Sequence, residues 1–176
     1  ASSYKMASLR RRTFRDLEGK GLEVIICRHI SSQYEPLNSS GSLKAGGRWN
    51  PTGEYGALYS ALEEETAIAE LHRLAQRQGL NLDDLAPRDL VSIRVSLSKV
   101  LDLTDKKILE RVGISESDIV GNDASLCLEI SRLARTAGFE AILAPSATKK
   151  GAVLVVFPDR LRPASRLEVV GKKKIL

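Results

Sequence analysis

The sequence predicts a single-domain α+β fold, a mixed β-sheet core with flanking helices. Three observations point to it. At 176 residues and 43% hydrophobic, the chain is long enough for one well-buried core and too short to make two domains. Short β-branched or alternating apolar runs, the pattern of strands, interleave with two segments of helical period. That interleaving has no regular βαβ rhythm, no internal repeat and no Gly-x-Gly-x-x-Gly, which argues against a doubly wound parallel sheet.

Residues 1–21 are basic, with Arg10, Arg11, Arg12 and Arg15, and weakly periodic. They read as an N-terminal arm or a short helix ahead of a domain over residues 22–176. Leu22 to Ile30 is apolar and β-branched, the pattern of a first strand. Arg28 is the anomaly in it, either turned to solvent or aimed into a cleft with an anionic partner. A Ser/Asn/Pro-rich loop then leads to a glycine-rich stretch, and Ala57 to Ala61 reads as a short second strand carrying Tyr59.

Leu62 to Gln78 is expected as a helix stopped by Gly79, with Ala67, Ile68, Leu71, Leu74 and Ala75 on one face and Glu70 at its border. Glu63, Glu64 and Glu65 crowd the first turn, where carboxylates suit the helix dipole. Glu70 lies beyond that turn, and its alternatives are an i,i+3 pair with Arg73 or a role in a cleft. Val91, Ile93, Val95 and Leu97 alternate as a half-buried strand that Val100 to Leu103 continues or pairs with. Thr104-Asp105 can cap a short helix to Arg111, and Ala124 to Ala137 keeps helical spacing after the turn residues Gly121-Asn122-Asp123. Two more strands, Ala141 to Ala144 and Ala152 to Phe157, flank Pro145 to Gly151. Arg166 to Leu176 reads as an edge strand blunted by lysines.

Lys+Arg 27 against Asp+Glu 22 gives a net charge of +5, which favours anionic partners. Only Tyr4 and Phe14 sit near the first basic cluster, where nucleic-acid binding would want more interleaved aromatics, so that is not its first reading. Cys27 and Cys127 each sit in an apolar segment, as buried small hydrophobes in a reducing compartment do. No run of about eighteen apolar residues and no secretory h-region is present, so a soluble, cytoplasmic protein without membrane contact is expected. With His29 and His72 the only histidines and no Cys-x-x-Cys, no metal is expected.

The densest chemistry lies in Gly46-Gly47-Arg48-Trp49-Asn50-Pro51-Thr52-Gly53, followed by Tyr59-Ser60. Paired glycines allow close backbone approach, Arg48 has a fork for phosphate or carboxylate, and Trp49 or Tyr59 offers a flat face to a base or a pyridinium ring. A hairpin with a core-plugging tryptophan and a solvated arginine uses the same residues.

Together, Arg28, Gly46 to Asn50, Tyr59-Ser60, Ala67-Ile68-Ala69-Glu70, Leu101 to Thr104, Gly121 to Cys127 and Pro145-Ser146-Ala147 give the chain a resemblance to the RES family, named for its Arg, Glu and Ser. The likeness spans roughly residues 24 to 158. It implies a fold similar to ADP-ribosyltransferase toxins and a bacterial toxin of a toxin–antitoxin pair. Such toxins consume NAD⁺ by cleaving the nicotinamide–ribose N-glycosidic bond through hydrolysis or phosphorolysis. A cognate Xre-type antitoxin blocks the site, and nucleic acid is met only through that antitoxin. Ser125 and Ser146 both match serine-bearing motifs of the family.

The residue types suit that chemistry. Nicotinamide departs neutral, so the reaction needs no acid at the leaving nitrogen; it needs stabilisation of an oxocarbenium-like ribose in a held geometry. Glu70 is expected at the ribose or its acceptor, Arg28 and Arg48 at the pyrophosphate, Tyr59 at the nicotinamide, and Trp49 with a serine at the remaining ligand groups. Transfer to a protein side chain, as an ADP-ribosyltransferase, is the alternative. A non-catalytic nucleotide- or nucleic-acid-binding module is the alternative from another class.

Overall fold

A computed structural model describes residues 2–176, with side chains from Lys5 onward. Two long strands, β1 (Lys20–Ser31) and β3 (Arg88–Asp102), pair antiparallel from Lys20 opposite Val100 to Ser31 opposite Arg88. The alternation in β3 puts Val91, Ile93, Val95 and Leu97 opposite Arg28, Ile26, Val24 and Leu22, so one face of the pair is apolar except for Arg28. The segment after Leu97, which the sequence left as continuing or pairing, continues: β3 is one strand.

Three shorter strands, β2 (Leu58–Ala61), β4 (Ala141–Pro145) and β5 (Ala152–Val156), follow in the order β2-β5-β4, with β5 antiparallel to both neighbours. β4 joins the last residues of β3 in parallel, Val100 opposite Ala141 to Asp102 opposite Leu143, which makes the sheet mixed. β1 meets β2 at Cys27 opposite Ala61, so the five strands return on themselves as a ring. The last strand, β6 (Arg166–Lys174), lies on the other edge of β3, with Lys172, Lys173 and Lys174 along the outer edge as the sequence suggested.

The long helix α4 (Glu64–Gln78) packs on β1 and β2 through Ala67, Leu71 and Ala75 and ends at a left-handed Gly79. α5 (Lys106–Val112) is capped by Asp105, whose side chain accepts the Lys107 N–H, and a one-turn α6 (Glu116–Val120) follows. α7 (Ser125–Thr136) buries Leu126, Cys127, Ile130 and Ala134 against β4 and β5. The basic N-terminal stretch forms two short helices, α1 (Ser2–Ser8) and α2 (Arg11–Asp16), that lie on α7. From them Leu9, Phe14 and Leu17 enter the larger core cluster. Burying a side chain such as Phe14 contributes about 2–3 kcal/mol, so this stretch is part of the packed body and its arginines are only its outer face.

β3 and β4 are also joined by a buried charge. The carboxylate of Glu140 accepts hydrogen bonds from the Ser98 and Lys99 N–H groups at 2.9 Å and from the Arg162 N–H at 2.8 Å. Burial pushes this carboxyl up, but the donated hydrogen bonds outweigh it and hold it at about 2.

Candidate active site

A cavity of about 440 Å³ opens where β1 and β2 diverge, walled by Cys27–Ser31, the loop Gly46–Trp49, Tyr59 and one face of α4, and closed by the β4–β5 turn at Pro145 and Ala147. That volume lies within the range of small-molecule sites.

The glycine-rich loop is built by tight local bonds. Gly46 ends the short helix α3 (Ser40–Ala45) at φ 71°, a conformation that favours glycine. At Gly47 a Cβ would collide with the Tyr59 hydroxyl, so only a bare backbone fits there. Asn50 is fully buried, donates to the Ser42 and Tyr55 carbonyls at 2.8 and 3.0 Å, and accepts from the Tyr59 hydroxyl at 2.7 Å. Tyr59 in turn accepts the Trp49 N–H at 3.0 Å, and burial raises its pKa. Its ring is therefore fixed at the cavity wall by two partners.

Of the two readings of Trp49, a flat face for a ligand or a core plug, its burial fits the plug, although the residue also borders the cavity. Its side chain is only 2% exposed and belongs to the larger core cluster, so it acts as the plug under the loop. Its carbonyl accepts from Ser131 of α7 at 2.5 Å, and Ser131 also bonds the Tyr55 hydroxyl at 2.8 Å. Arg135, beside it on α7, stacks on Tyr55 at 3.8 Å and pairs with both oxygens of Asp159.

Arg28 points inward and is 9% exposed. Its guanidinium donates to the Pro36 and Asn38 carbonyls at 2.5 and 2.7 Å, and burial lowers its pKa to about 10, so it stays a cation at neutral pH. Arg48 donates to the Ile119 carbonyl at 2.8 Å, near Cys127, whose thiol burial pushes up to about 11. Both guanidinium groups border the cavity with donors to spare.

Glu70 faces the cavity from α4, and its partner is Ser146: the Ser146 hydroxyl donates to Glu70 Oε1 at 2.5 Å. Ser146 is fully buried, also bonds the Thr148 hydroxyl at 2.6 Å, and accepts the Thr148 N–H at 3.1 Å. Among the described residues Glu70 and Arg73 form no close ion pair, although Glu70 attracts the Arg73 charge; the direct contact of the carboxylate is with Ser146. Ser125 lies elsewhere: it is exposed at the start of α7, bonded to Asp123, and does not line the cavity. The structure thus brings together Arg28, Arg48, Tyr59, Glu70 and Ser146, keeps Trp49 at the wall with its side chain nearly buried, and leaves Ser125 out.

Other cavity residues were not singled out by the sequence. His29 lines the wall, and its Nδ1 lies 3.1 Å from an Arg88 nitrogen; burial, with Arg88 and Arg28 nearby, lowers its pKa to about 3, so the ring is neutral. Nδ1 then accepts from Arg88, and Nε2 carries the proton. Behind the wall, Asn50 is part of the glycine-rich stretch that the sequence singles out, but its role as the buried anchor of Tyr59 is not legible there, and Ser131 reads only as a serine among apolar helix positions. No three His, Cys, Asp or Glu side chains converge among the described residues.

This arrangement, one fixed carboxylate facing arginines across a pocket floored by a tyrosine, coincides with a family match. The RES domain model matches residues 24–175. The chain belongs to the RES-domain family. Relatives include the NAD(+) phosphorylase MbcT of Mycobacterium bovis, 31% identical over 138 residues that cover 77% of this chain and 74% of the relative. The probable NAD(+) phosphorylase Rv3189 of Mycobacterium tuberculosis H37Rv is 34% identical over 135 residues, 76% of this chain and 64% of that one. The M. tuberculosis MbcT–MbcA toxin–antitoxin complex contains a chain with the same fold, at TM-score 0.81 and 25% identity, over 99% of this RES-domain chain and 94% of the other.

Proposed function

We propose that this RES-domain protein is the toxin of a toxin–antitoxin pair and that it cleaves the nicotinamide–ribose bond of NAD⁺, passing the ADP-ribosyl group to phosphate or water. The observation that carries the reading is the Glu70–Ser146 bond at the wall of a cavity bordered by arginines. The relatives named NAD(+) phosphorylase support it. In this reading Arg28 and Arg48 hold the pyrophosphate, with Arg28 oriented by the Pro36 and Asn38 carbonyls and Arg48 by that of Ile119. Tyr59, held by Asn50 and the Trp49 N–H, shapes the nicotinamide side. Glu70 stabilises positive charge that develops on the ribose as neutral nicotinamide leaves, and Ser146 holds its carboxylate in one rotamer.

No helix among the described residues is long and apolar enough to cross a membrane. A toxin that consumes NAD⁺ acts in the cytoplasm, and an antitoxin that covers the cavity mouth would keep it silent. The likeness to the MbcT–MbcA complex supports that partner.

The test is to incubate the purified protein with NAD⁺, with and without phosphate, and to follow nicotinamide and the ADP-ribosyl product by chromatography. Glu70→Gln is expected to lose nearly all turnover while keeping the wild-type melting temperature within a few degrees. An equally active Glu70→Gln protein removes Glu70 from the mechanism, and no nicotinamide from the folded wild type removes the proposal.

A further inference from the structure

The arginines around the cavity fall into two groups. Arg28, Arg48 and Arg88 are each anchored by protein acceptors, respectively the Pro36 and Asn38 carbonyls, the Ile119 carbonyl, and His29 with the Leu85 carbonyl. Arg73 and Arg77 line the same cavity from α4, yet among the described residues neither makes a hydrogen bond or an ion pair. They stand three and seven residues after Glu70, on the face of the helix that Glu70 shares. Arg73 is half-buried, and Arg77 is at the rim. Desolvation, then the charges of Arg48 and Arg77, lower the pKa of Arg73 by more than the attraction of Glu70 raises it, so the cations around it outweigh the one nearby carboxylate.

An anionic acceptor has a specific difficulty in this cavity. Phosphate must reach the ribose carbon beside Glu70, whose carboxylate repels it, whereas water meets no such barrier. A guanidinium one turn from that carboxylate, with its donors uncommitted, removes the barrier for phosphate alone. We propose that Arg73, backed by Arg77, is the acceptor subsite, holding inorganic phosphate beside Glu70 so that phosphate rather than water receives the ADP-ribosyl group. This rests on the NAD⁺-cleaving reading of the same cavity. An oxygen of HPO₄²⁻ bonds to C1′ of the nicotinamide ribose as the C1′–N bond breaks. The electron pair of that bond leaves on nicotinamide, which departs neutral. The product is ADP-ribose carrying the phosphate on C1′, and the remaining phosphate proton goes to solvent.

The experiment measures initial rates of nicotinamide release across a phosphate series and an NAD⁺ series for wild type, Arg73→Gln, Arg73→Lys, Arg77→Gln and Glu70→Gln, with products separated by chromatography. Melting temperatures are recorded with inorganic phosphate alone. Arg73→Gln is expected to raise the half-saturating phosphate concentration about tenfold or more, to change the KM for NAD⁺ less than about threefold, and to shift products from the phosphorylated form toward free ADP-ribose. Arg77→Gln gives a smaller shift of the same kind, and Arg73→Lys restores part of the phosphate dependence. Phosphate alone raises the melting temperature of wild type and of Glu70→Gln, and this gain is lost in Arg73→Gln. That readout decides the matter even if Arg73→Gln is inactive. A raised KM for NAD⁺ with phosphate dependence unchanged places Arg73 on the dinucleotide and overturns the proposal, as does an undiminished thermal gain in Arg73→Gln. Wild-type cleavage that ignores phosphate overturns this subsite and leaves the NAD⁺ reading standing, whereas a wild type that releases no nicotinamide removes both.

Discussion

Replacing Glu140 by Gln tests how the strand ladder is fastened. The side chain is fully buried and accepts the backbone N–H groups of Ser98, Lys99 and Arg162. Gln keeps one acceptor oxygen for Ser98 and Lys99 but sets an NH₂ against the Arg162 N–H, a donor facing a donor. A carboxyl that falls from 4.5 to about 2 on folding is worth about 3 kcal/mol at pH 7. Because the folded pKa lies below the unfolded one, this stability is almost fully present above about pH 5 and is lost as pH falls toward 2, leaving about two fifths of it at pH 3. Urea unfolding followed by tryptophan fluorescence reads it directly, since Trp49 is the only tryptophan and is buried. The gap between wild type and Glu140→Gln should be about 3 kcal/mol at pH 7 and shrink to about two fifths of that at pH 3. His29, also held neutral, titrates in both proteins and cancels from the difference. A gap that stays constant from pH 7 to pH 3, or one below about 1 kcal/mol at pH 7, would refute the assignment of that stability to the ionised carboxylate.

Two further outcomes follow from the site. Ser146→Ala frees the Glu70 carboxylate and should lower kcat about tenfold or more, with a stability loss of only about 1 kcal/mol; an unchanged kcat means that the serine does not position Glu70. Asn50→Ala strands the Tyr55 carbonyl and the Tyr59 hydroxyl proton, while the Ser42 carbonyl keeps the Gly46 N–H, so urea unfolding should show a loss of about 2 kcal/mol, and a loss under about 1 kcal/mol would mean that water replaces the amide.

The elements with strong local signals were legible. Alternation in β3, the apolar face of α4 with its glycine stop, and the lysine-edged β6 each depend on neighbours close in sequence. What was hidden depends on distant partners. The N-terminal stretch suggested an arm or a short helix, and only the packed molecule shows Leu9, Phe14 and Leu17 reaching the core beside α7. Trp49 carried both possible meanings in its composition, and burial under the loop decided for the plug. Two serines fitted the family motifs equally well; the register of β4 against β5 carries Ser146 to Glu70, and the start of α7 keeps Ser125 outside. Arg73 was visible as a helical neighbour of Glu70, but that its guanidinium makes no hydrogen bond or close ion pair among the described residues is a property of three-dimensional spacing.

The meeting of β1 and β2 has a chemical consequence. Among the described residues Cys27 is the single β1 position registered against β2, while Arg28 to Ser31 keep β3 on one side only. Five consecutive residues, Cys27 to Ser31, border the cavity, although side chains on a strand alternate between its faces. The cavity therefore abuts the strand's edge, where amide and carbonyl groups project as an unfinished ladder. A bound molecule meets a row of peptide donors and acceptors there that no side-chain substitution deletes. An alanine scan of this wall would see only part of what holds the ligand; proline or main-chain ester replacements in β1 would expose the rest.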